Sequence, residues 1–178
     1  QPDGNLRDID VPSQLVDHYK WSVNQTFILG QDHLNINLGW QRNFRREFSF
    51  PEFHSIPSSL IDPNNTLALS LFLETFSANA HYEHKGNNDW KTTYGLSVQR
   101  QQNTRGGFEF LLPNFTTFRS GIYTITEKEW RPGWTVNGGL RIDYGHNQTT
   151  RDQQFVWNSN EIITDTLLAP ATNDPFFN

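Results

Sequence analysis

The segment that decides the fold is residues 18–44, HYKWSVNQTFILGQDHLNINLGWQRNF. Apolar and polar side chains alternate in both halves of this segment, and Gly30, Gln31 and Asp32 stand between the halves. Such alternation is typical of β-strands that have one apolar and one polar face. The segment therefore predicts two antiparallel strands joined by a tight turn, which is a β-hairpin.

Similar alternation recurs further along the chain, whereas no segment has a clear helical period. We therefore predict an all-β fold, an antiparallel up-and-down meander of about six long strands. The third alternating run changes parity in its middle, which predicts a β-bulge near Glu74 or Thr75. The predicted strands cover approximately residues 16–29, 33–44, 66–84, 90–102, 118–130 and 134–144.

The predicted connections fall into two classes. Short turns at residues 30–32, 86–89 and 131–133 alternate with long loops, so one end of the sheet carries tight turns and the other carries the loops. Bacterial outer-membrane barrels have this asymmetry, with short periplasmic turns and long extracellular loops. The long loops are predicted at about residues 45–65, 103–117 and 145–178.

Aromatic side chains mark both ends of the predicted strands. One group lies beside the short turns, and a second group lies about ten residues away, toward the loops. A strand of about ten residues that is tilted near 45° crosses about 24 Å, which matches the apolar band of a membrane barrel. The two predicted rims consist of Tyr82, Trp90, Trp130 and Trp134, and of Tyr19, Trp21, Trp40 and Tyr144.

Composition narrows the range of functions. The chain has 178 residues with 14 Lys+Arg, 19 Asp+Glu and no Cys, which excludes disulfides and thiol chemistry. The basic residues form no stripe, so nucleic acid is not an expected partner. No apolar run reaches the roughly 18 residues that a membrane-spanning helix needs.

Catalytic and metal-binding motifs are absent from the sequence. It contains no G-x-S-x-G, H-E-x-x-H, P-loop or Rossmann pattern. His81 and His84 are three residues apart, and this odd spacing sends their rings to opposite faces of a strand, so they cannot chelate one metal ion. We therefore predict a protein that is not an enzyme and that has no cofactor and no metal site.

Five segments share features beyond alternation: LNINLGWQRNFRREF (34–48), LALSLFLETFSANAHYEH (67–84), TTYGLSVQRQQN (92–103), LLPNFTTFRSGIYTITEKEW (111–130) and WTVNGGLRIDY (134–144). The first runs into Arg and Glu before a long loop, the fourth has Leu-Pro before a strand, and the last contains Gly-Leu-Arg-x-Asp. In this order they resemble the β-barrel of TonB-dependent outer-membrane receptors, the plugged transporters of Gram-negative bacteria. The resemblance covers roughly residues 15–145.

The resemblance implies a transport receptor in the cell outer membrane that imports a scarce nutrient complex, most often an iron–siderophore chelate. In this family the chelate binds at the extracellular mouth, and energised TonB moves a plug domain. The sequence contains no recognisable plug, so we expect a segment of a barrel of about 22 strands, in contact with outer-membrane lipid and coupled to TonB through a plug outside it. In isolation such a segment is expected to self-associate.

Two sets of residues are candidates for a function. Arg141 and Asp143 share the polar face of the strand at 134–144, where we expect them to belong to the lumen wall rather than to contact ligand. The loops combine cations with aromatic rings, which suits an anionic or aromatic chelate, or alternatively packs the loops together. The candidate ligand residues are Arg45, Arg46, Phe48, His54, Arg105, Phe108 and Phe110.

Two other classes of protein compete with the receptor. A soluble all-β carbohydrate- or ligand-binding module would use the aromatic side chains as a sugar platform. An outer-membrane barrel enzyme, a protease or a lipase, would need an acidic or Ser/His cluster at the loop ends, and we find no such cluster in the sequence. Detergent dependence separates the module from the receptor, because a module is a compact monomer without detergent.

Overall fold

The computed structural model of this chain describes residues 11–50, 66–87, 89–157 and 163–177, and the structural statements below refer to these residues. Within them the fold is all-β, as predicted. No helix in these ranges is long and apolar enough to cross a membrane. The strands are β1 (Ser13–Leu29), β2 (Asp32–Phe48), β3 (Leu67–Lys85), β4 (Trp90–Gly106), β5 (Phe115–Arg131), β6 (Trp134–Thr149), β7 (Asp152–Trp157), β8 (Ile163–Ala169) and β9 (Thr172–Phe177).

Seven of these strands form one antiparallel sheet. Each strand from β1 to β6 pairs with its neighbour in sequence, so the sheet is an up-and-down meander, and β9 pairs with β6 at the end of the order. β7 and β8 form a separate two-stranded sheet. The predicted meander is confirmed, with one strand more than the six that alternation indicates.

The strands extend further toward the loops than alternation predicts. β2 continues to Phe48, β4 continues to Gly106, and β6 continues to Thr149. Residues 145–178, predicted as a loop, also contain β7, β8 and β9. These extensions lack a clear apolar alternation, yet their backbone groups pair in a ladder, and backbone pairing is what makes a strand.

The register determines which side chains share a face, because directly opposed residues in a sheet point the same way. Trp40 lies opposite Phe76, and Leu96 lies opposite Ile122, which in turn lies opposite Ile142. We call this side the apolar face. It also carries Tyr19, Trp21, Val23, Leu34, Ile36, Leu38, Ala78, Ala80, Tyr94, Val98, Val136 and Leu140.

The opposite side, which we call the polar face, carries mainly amides, hydroxyl groups and glycines. Asn37 lies opposite Asn79, which lies opposite Ser97. The Thr26 hydroxyl donates a hydrogen bond to Asn35 Oδ1 over 2.6 Å. Neutral groups of this kind bind water or polar ligands, and they contrast with the hydrocarbon of the apolar face.

The predicted β-bulge at Glu74 or Thr75 is wrong. β3 pairs with β4 in continuous register through both residues. The shift in the pairing of β2 with β3 lies instead between Glu47 and Phe48, at the loop end. The parity change in the sequence therefore moves the leucines of β3 to the polar face. They are Leu69, Leu71 and Leu73.

A small buried core lies at the loop end of β3, beside the first of these leucines. Leu69 and Ala68 are each only 2% exposed. The segment after β4 covers them, and the Glu109 backbone N–H donates to the Ala68 carbonyl oxygen over 2.8 Å. Gly107 has a φ of +89°, and a Cβ at this position would stand 2.3 Å from the Ala68 carbonyl oxygen, so the approach requires glycine.

The apolar face is uncovered over most of its area. Leu140 is 78% exposed, Ile142 is 64% exposed and Ile122 is 58% exposed. The accessible surface of the chain is 12764 Å², whereas a compact folded protein of 20.7 kDa exposes roughly 8,900 Å². A soluble β-sandwich covers its apolar face with a second layer, and this single-layer sheet does not.

Asp32 joins the turn end of β2 to β3. Its carboxylate accepts hydrogen bonds from the Tyr82 hydroxyl over 2.5 Å and from the Lys85 backbone N–H over 3.0 Å, and His84 Nδ1 lies 3.0 Å away. These contacts lower the pKa of Asp32 to about 2, with the Tyr82 hydroxyl the largest cause. The ionised carboxylate is therefore the form that holds the two strands together.

Replacing Asp32 by Asn should remove a pH-dependent stabilisation. A carboxylate with a lower pKa in the folded chain stabilises the fold above its unfolded pKa, and this stabilisation is lost as pH falls through the folded value. We expect Asp32→Asn to unfold at a lower urea concentration than the parent at neutral pH. The difference should vanish as the pH falls from 3.8 to about 2.

Asp89→Asn provides the control for this titration. Asp89 is exposed in the next turn, and its carboxylate has no partner in the part of the chain that the structure describes. The urea midpoint of this control should follow the parent at every pH. An equal loss of stability in Asp32→Asn and Asp89→Asn would contradict the role of Asp32.

Candidate functional site

Arg141 and Asp143 form an ion pair on the polar face of β6. Arg141 Nε donates to Asp143 Oδ2 and Arg141 Nη2 donates to Asp143 Oδ1, each over 2.6 Å, so the contact is bidentate. Nη2 also donates to the Ser97 hydroxyl over 3.1 Å, and the guanidinium carbon lies 5.6 Å from the centre of the Tyr123 ring. The guanidinium thus connects three strands, which favours its interpretation as part of the wall.

Two glycines, which have no side chain, make room for this cluster. A Cβ at Gly121 would stand 2.0 Å from Asp143 Oδ1 and 2.8 Å from Arg141 Nη2. A Cβ at Gly95 would stand 1.9 Å from the Tyr123 ring. Optimal contacts between carbon atoms are about 3.5–4.0 Å. The ring and the ion pair therefore lie where they do only because neighbouring strands carry glycine.

A groove of about 500 Å³ lies over this cluster on the polar face. Its lining includes Ser77, Gln99 and Arg119 beside the ion pair, and the register aligns these three residues across β3, β4 and β5. Arg119 is exposed and forms no ion pair with another described residue. Beside the ion pair, the groove therefore supplies one further cation and several neutral hydrogen-bonding groups.

The two neighbouring arginines at the end of β2 lie on opposite faces. Arg45 is on the polar face and forms an ion pair with Glu47. Arg46 is on the apolar face, where its Nη2 donates to Asp17 Oδ2 over 3.1 Å and its guanidinium lies 4.7 Å from the centre of the Phe44 ring. These two arginines cannot hold the same ligand from the two sides of the sheet.

The loop after β4 spans fewer residues than predicted and is folded against itself. Arg105 Nη1 donates to the Glu109 carbonyl oxygen over 3.0 Å, and its guanidinium lies 5.3 Å from the centre of the Phe110 ring. The Arg105 backbone N–H donates to Asn114 Oδ1 over 2.5 Å, and Phe108 is half-buried. The structure brings Arg105 and Phe110 together, and these contacts favour packing of the loop as one of their roles.

Arg45 and Arg105 are the candidate ligand residues that share a face. Both lie opposite Leu71, one on β2 and the other on β4. Strands that are two apart in a sheet are separated by about 10 Å, so the two guanidinium groups flank a site of that width. Phe48 is half-buried at the end of β2, and His54 lies outside the described residues.

Metal ligation has no support among the residues that the structure describes. No group of three or more His, Asp or Glu side chains in these ranges is arranged to hold a metal ion. His81 lies on the polar face, whereas His84 lies on the other face beside Asp32, as the odd spacing predicts.

Sequence reasoning missed a cation on the apolar face. Lys128 Nζ lies 4.9 Å from the centre of the Trp90 ring and 5.9 Å from the centre of the Trp130 ring. The spacing of Lys128 and Trp130 is a usable signal, because residues two apart in a strand share a face. Trp90 comes from β4 and reaches the same cluster through the register alone.

Replacing Gly95 by Ala should destabilise the sheet. The added methyl group overlaps the Tyr123 ring, and overpacking of this kind costs about 1–3 kcal/mol of unfolding free energy. Gly138→Ala is the matched control, since a Cβ there meets no atom within 4 Å. We expect this control to be neutral or to stabilise the strand by up to about 1 kcal/mol in urea titrations. Equal unfolding free energies for the two variants would contradict the close approach of Tyr123.

Comparison with known proteins leaves the family of this chain open. No protein-family model, no curated protein and no solved structure matches it. The assignment of a function therefore depends on the geometry of the two faces and of the loop end.

Proposed function

We propose that this chain forms part of the wall of a transmembrane β-barrel in the cell outer membrane. The protein would be a receptor of the TonB-dependent kind that imports an iron–siderophore or similar nutrient complex. The observation that carries the proposal is the exposed apolar face of a single-layer meander, where Leu140 is 78% exposed, opposite a face of amides and hydroxyl groups.

The free energy of apolar exposure favours a hydrocarbon partner for this face. Burial of apolar surface contributes about 25 cal/mol per Å², or about 1.5–3 kcal/mol for one large aliphatic or aromatic side chain. In water, about half or more of this contribution is lost at each of four residues, Leu96, Ile122, Leu140 and Ile142. Acyl chains of a bilayer would remove the cost without a second protein layer, and the paired strands leave few backbone groups unsatisfied in lipid.

The length of the strands supports the same conclusion. β1, β2, β4 and β5 each contain 17 residues. Seventeen residues rise about 56 Å and, at a tilt near 45°, cross about 40 Å, which is the thickness of a bilayer with its headgroups. On β2 the apolar stretch from Leu34 to Trp40 lies between Asp32 and Arg42, so the hydrocarbon would meet the half of the strand nearer the tight turn.

The direction of insertion follows from the two ends of the sheet. The tight turns at Gly30 and Gly133 would face the periplasm, and the long connections would face outward. The polar face, with Arg141 and Asp143, would line the wet lumen. Arg45 and Arg105 would stand at the outer mouth, where an anionic chelate could pair with both cations.

The barrel wall can be tested by labelling adjacent residues. The sequence has no cysteine, so a single Cys substitution gives one site for a nitroxide label. We expect a label at Leu96→Cys, in a bilayer, to collide more often with dissolved oxygen, and a label at Ser97→Cys to collide more often with a water-soluble nickel chelate. The two positions are neighbours on opposite faces, so each is the control for the other.

The competing soluble module makes the opposite prediction. A chain that is a compact monomer without detergent, with both labelled positions equally accessible to the nickel chelate, would contradict the membrane wall. It would support a ligand-binding module in its place.

The role of the loop end can be tested with a ferric catecholate and a ferric hydroxamate as probes. We expect Arg45→Ala and Arg105→Ala each to weaken binding of the detergent-folded chain by about tenfold, because a hydrogen bond to a charged group contributes about 1.5–3 kcal/mol. Quenching of tryptophan fluorescence by the bound iron complex would measure the dissociation constant.

Arg131→Ala is the control for the loss of one cation. Arg131 lies at the end of the sheet that carries the tight turns, far from the loops at the other end, so its removal should leave chelate affinity unchanged. Equal affinity of the parent, Arg45→Ala and Arg105→Ala for both probes would remove the loop end from the proposed ligand site.

A further inference from the structure

A continuous groove crosses the apolar face over β4, β5 and β6. Two depressions of about 430 Å³ and 440 Å³ share Thr124 and Leu140 in their linings, so together they form one channel in the surface. We call the depression nearer the loop end the upper part and the one nearer the turn end the lower part. The upper part lies between Tyr94, Ile122 and Ile142. Most of the side chains that line the two depressions belong to the apolar face, and Gly95, Tyr123 and Arg141, which have the opposite parity, also border the upper one.

Small side chains form the floor of the lower part of this groove. Thr92 opposes Thr126, and Thr126 opposes Gly138, in one row of the apolar face. A Cβ at Gly138 would meet no atom within 4 Å. The rows on either side carry larger residues, with Leu140 in one row and Trp90 in the other. The groove is therefore a gap in the side-chain layer and not a bend of the backbone.

A cation closes the groove at the turn end. Lys128 and the two rings that flank it, Trp90 and Trp130, line the lower depression. The lysine nitrogen lies within 6 Å of both ring centres, and no carboxylate pairs with it in the described ranges. Its neighbours Glu127 and Glu129 alternate with it in the strand, so they point to the polar face. A positive charge therefore stands alone at the end of a hydrocarbon groove.

We propose that this groove binds one phospholipid, with an acyl chain along Ile142, Leu140 and Gly138 and the phosphate on Lys128 between Trp90 and Trp130. The inference rests on the proposed membrane function, because it assigns a specific lipid to a face that would otherwise meet bulk hydrocarbon. The occupant follows from charge complementarity: the apolar channel fits an acyl chain, and an isolated ammonium beside two indole rings fits an anionic headgroup.

The length of the groove agrees with one leaflet. From Val136 to Ile142 the strand rises about 20 Å, which at a tilt near 45° is about 14 Å across the membrane. The hydrocarbon core of a bilayer is about 30 Å thick, so one leaflet is about 15 Å. Lys128 lies at the end that carries the short turns, so the lipid would belong to the periplasmic leaflet.

Native mass spectrometry of the full chain in detergent micelles tests the site. The probes are dioleoylphosphatidylglycerol and dioleoylglycerol, which have the same acyl chains and differ in the phosphate headgroup. We expect the parent to retain one phosphatidylglycerol, with an affinity at least fivefold higher than for dioleoylglycerol. A single Lys or Arg near a membrane surface typically contributes an effect of this size.

Three variants assign the effect to the groove. Lys128→Gln should lower retention of phosphatidylglycerol about fivefold and leave dioleoylglycerol unchanged. Gly138→Leu fills the floor and should lower retention of both lipids. Lys20→Gln is the matched control, because Lys20 is an exposed lysine on the polar face of β1, and it should behave as the parent does.

Several outcomes would overturn the lipid site. They are equal retention of the two lipids by the parent, unchanged retention in both Lys128→Gln and Gly138→Leu, and an equal loss in Lys20→Gln. Binding of glycerol 3-phosphate as strong as that of the lipid would indicate a headgroup site without the groove. Lipid-free dimers in the same spectra would indicate a second copy of the chain as the occupant.

The same sample separates this inference from the proposed function. A chain that needs detergent and has an oxygen-accessible label at Leu96→Cys, but has no preference for phosphatidylglycerol, keeps the membrane wall and loses the lipid site. A compact monomer without detergent loses both.

Discussion

Continuous register through the central parts of β1 to β6 is the constraint on which the rest of the structure depends. Side chains alternate between faces with a period of two, so a slip of one residue anywhere in the ladder would exchange the faces of the following strands. The pairing keeps apolar residues opposite one another on neighbouring strands. Trp40 lies opposite Phe76, and Leu96 on β4 is aligned through β5 with Ile142 on β6. The apolar face, the polar face and both grooves are consequences of this single alignment.

The uncovered apolar face distinguishes this fold from an ordinary globular domain. In an ordinary globular domain the hydrophobic effect is satisfied by packing one layer against another, and here the only strongly buried apolar residues in the described ranges are Ala68 and Leu69. They lie at the loop end of β3, where the segment after β4 folds back over it. Backbone hydrogen bonds within the ladder therefore hold the sheet together, and its apolar side is left exposed.

Glycines determine where the side chains of the polar face can lie. Tyr123 fits over Gly95, and the Arg141–Asp143 pair fits over Gly121. Ion pairs that are this exposed to solvent contribute little to stability. The cluster matters for its geometry, because Arg141 is held by Ser97 and Asp143, whereas Arg119 forms no ion pair with another described residue.

The sequence by itself determined the all-β class, the meander and the assignment of most residues to a face, because the alternation of apolar and polar residues is a local property. It also indicated the turn at Gly30 and the opposite orientation of His81 and His84. Only the tertiary structure decided the face of Leu69, Leu71 and Leu73, since the pairing of β3 with both neighbours sets it, and Leu69 is buried beside a segment some forty residues away. The same holds for the strands within residues 145–178, which are defined by pairing and not by pattern. It also holds for the grouping of Lys128 with Trp90, because the distance between residues on neighbouring strands depends on register, and register is set by the whole ladder.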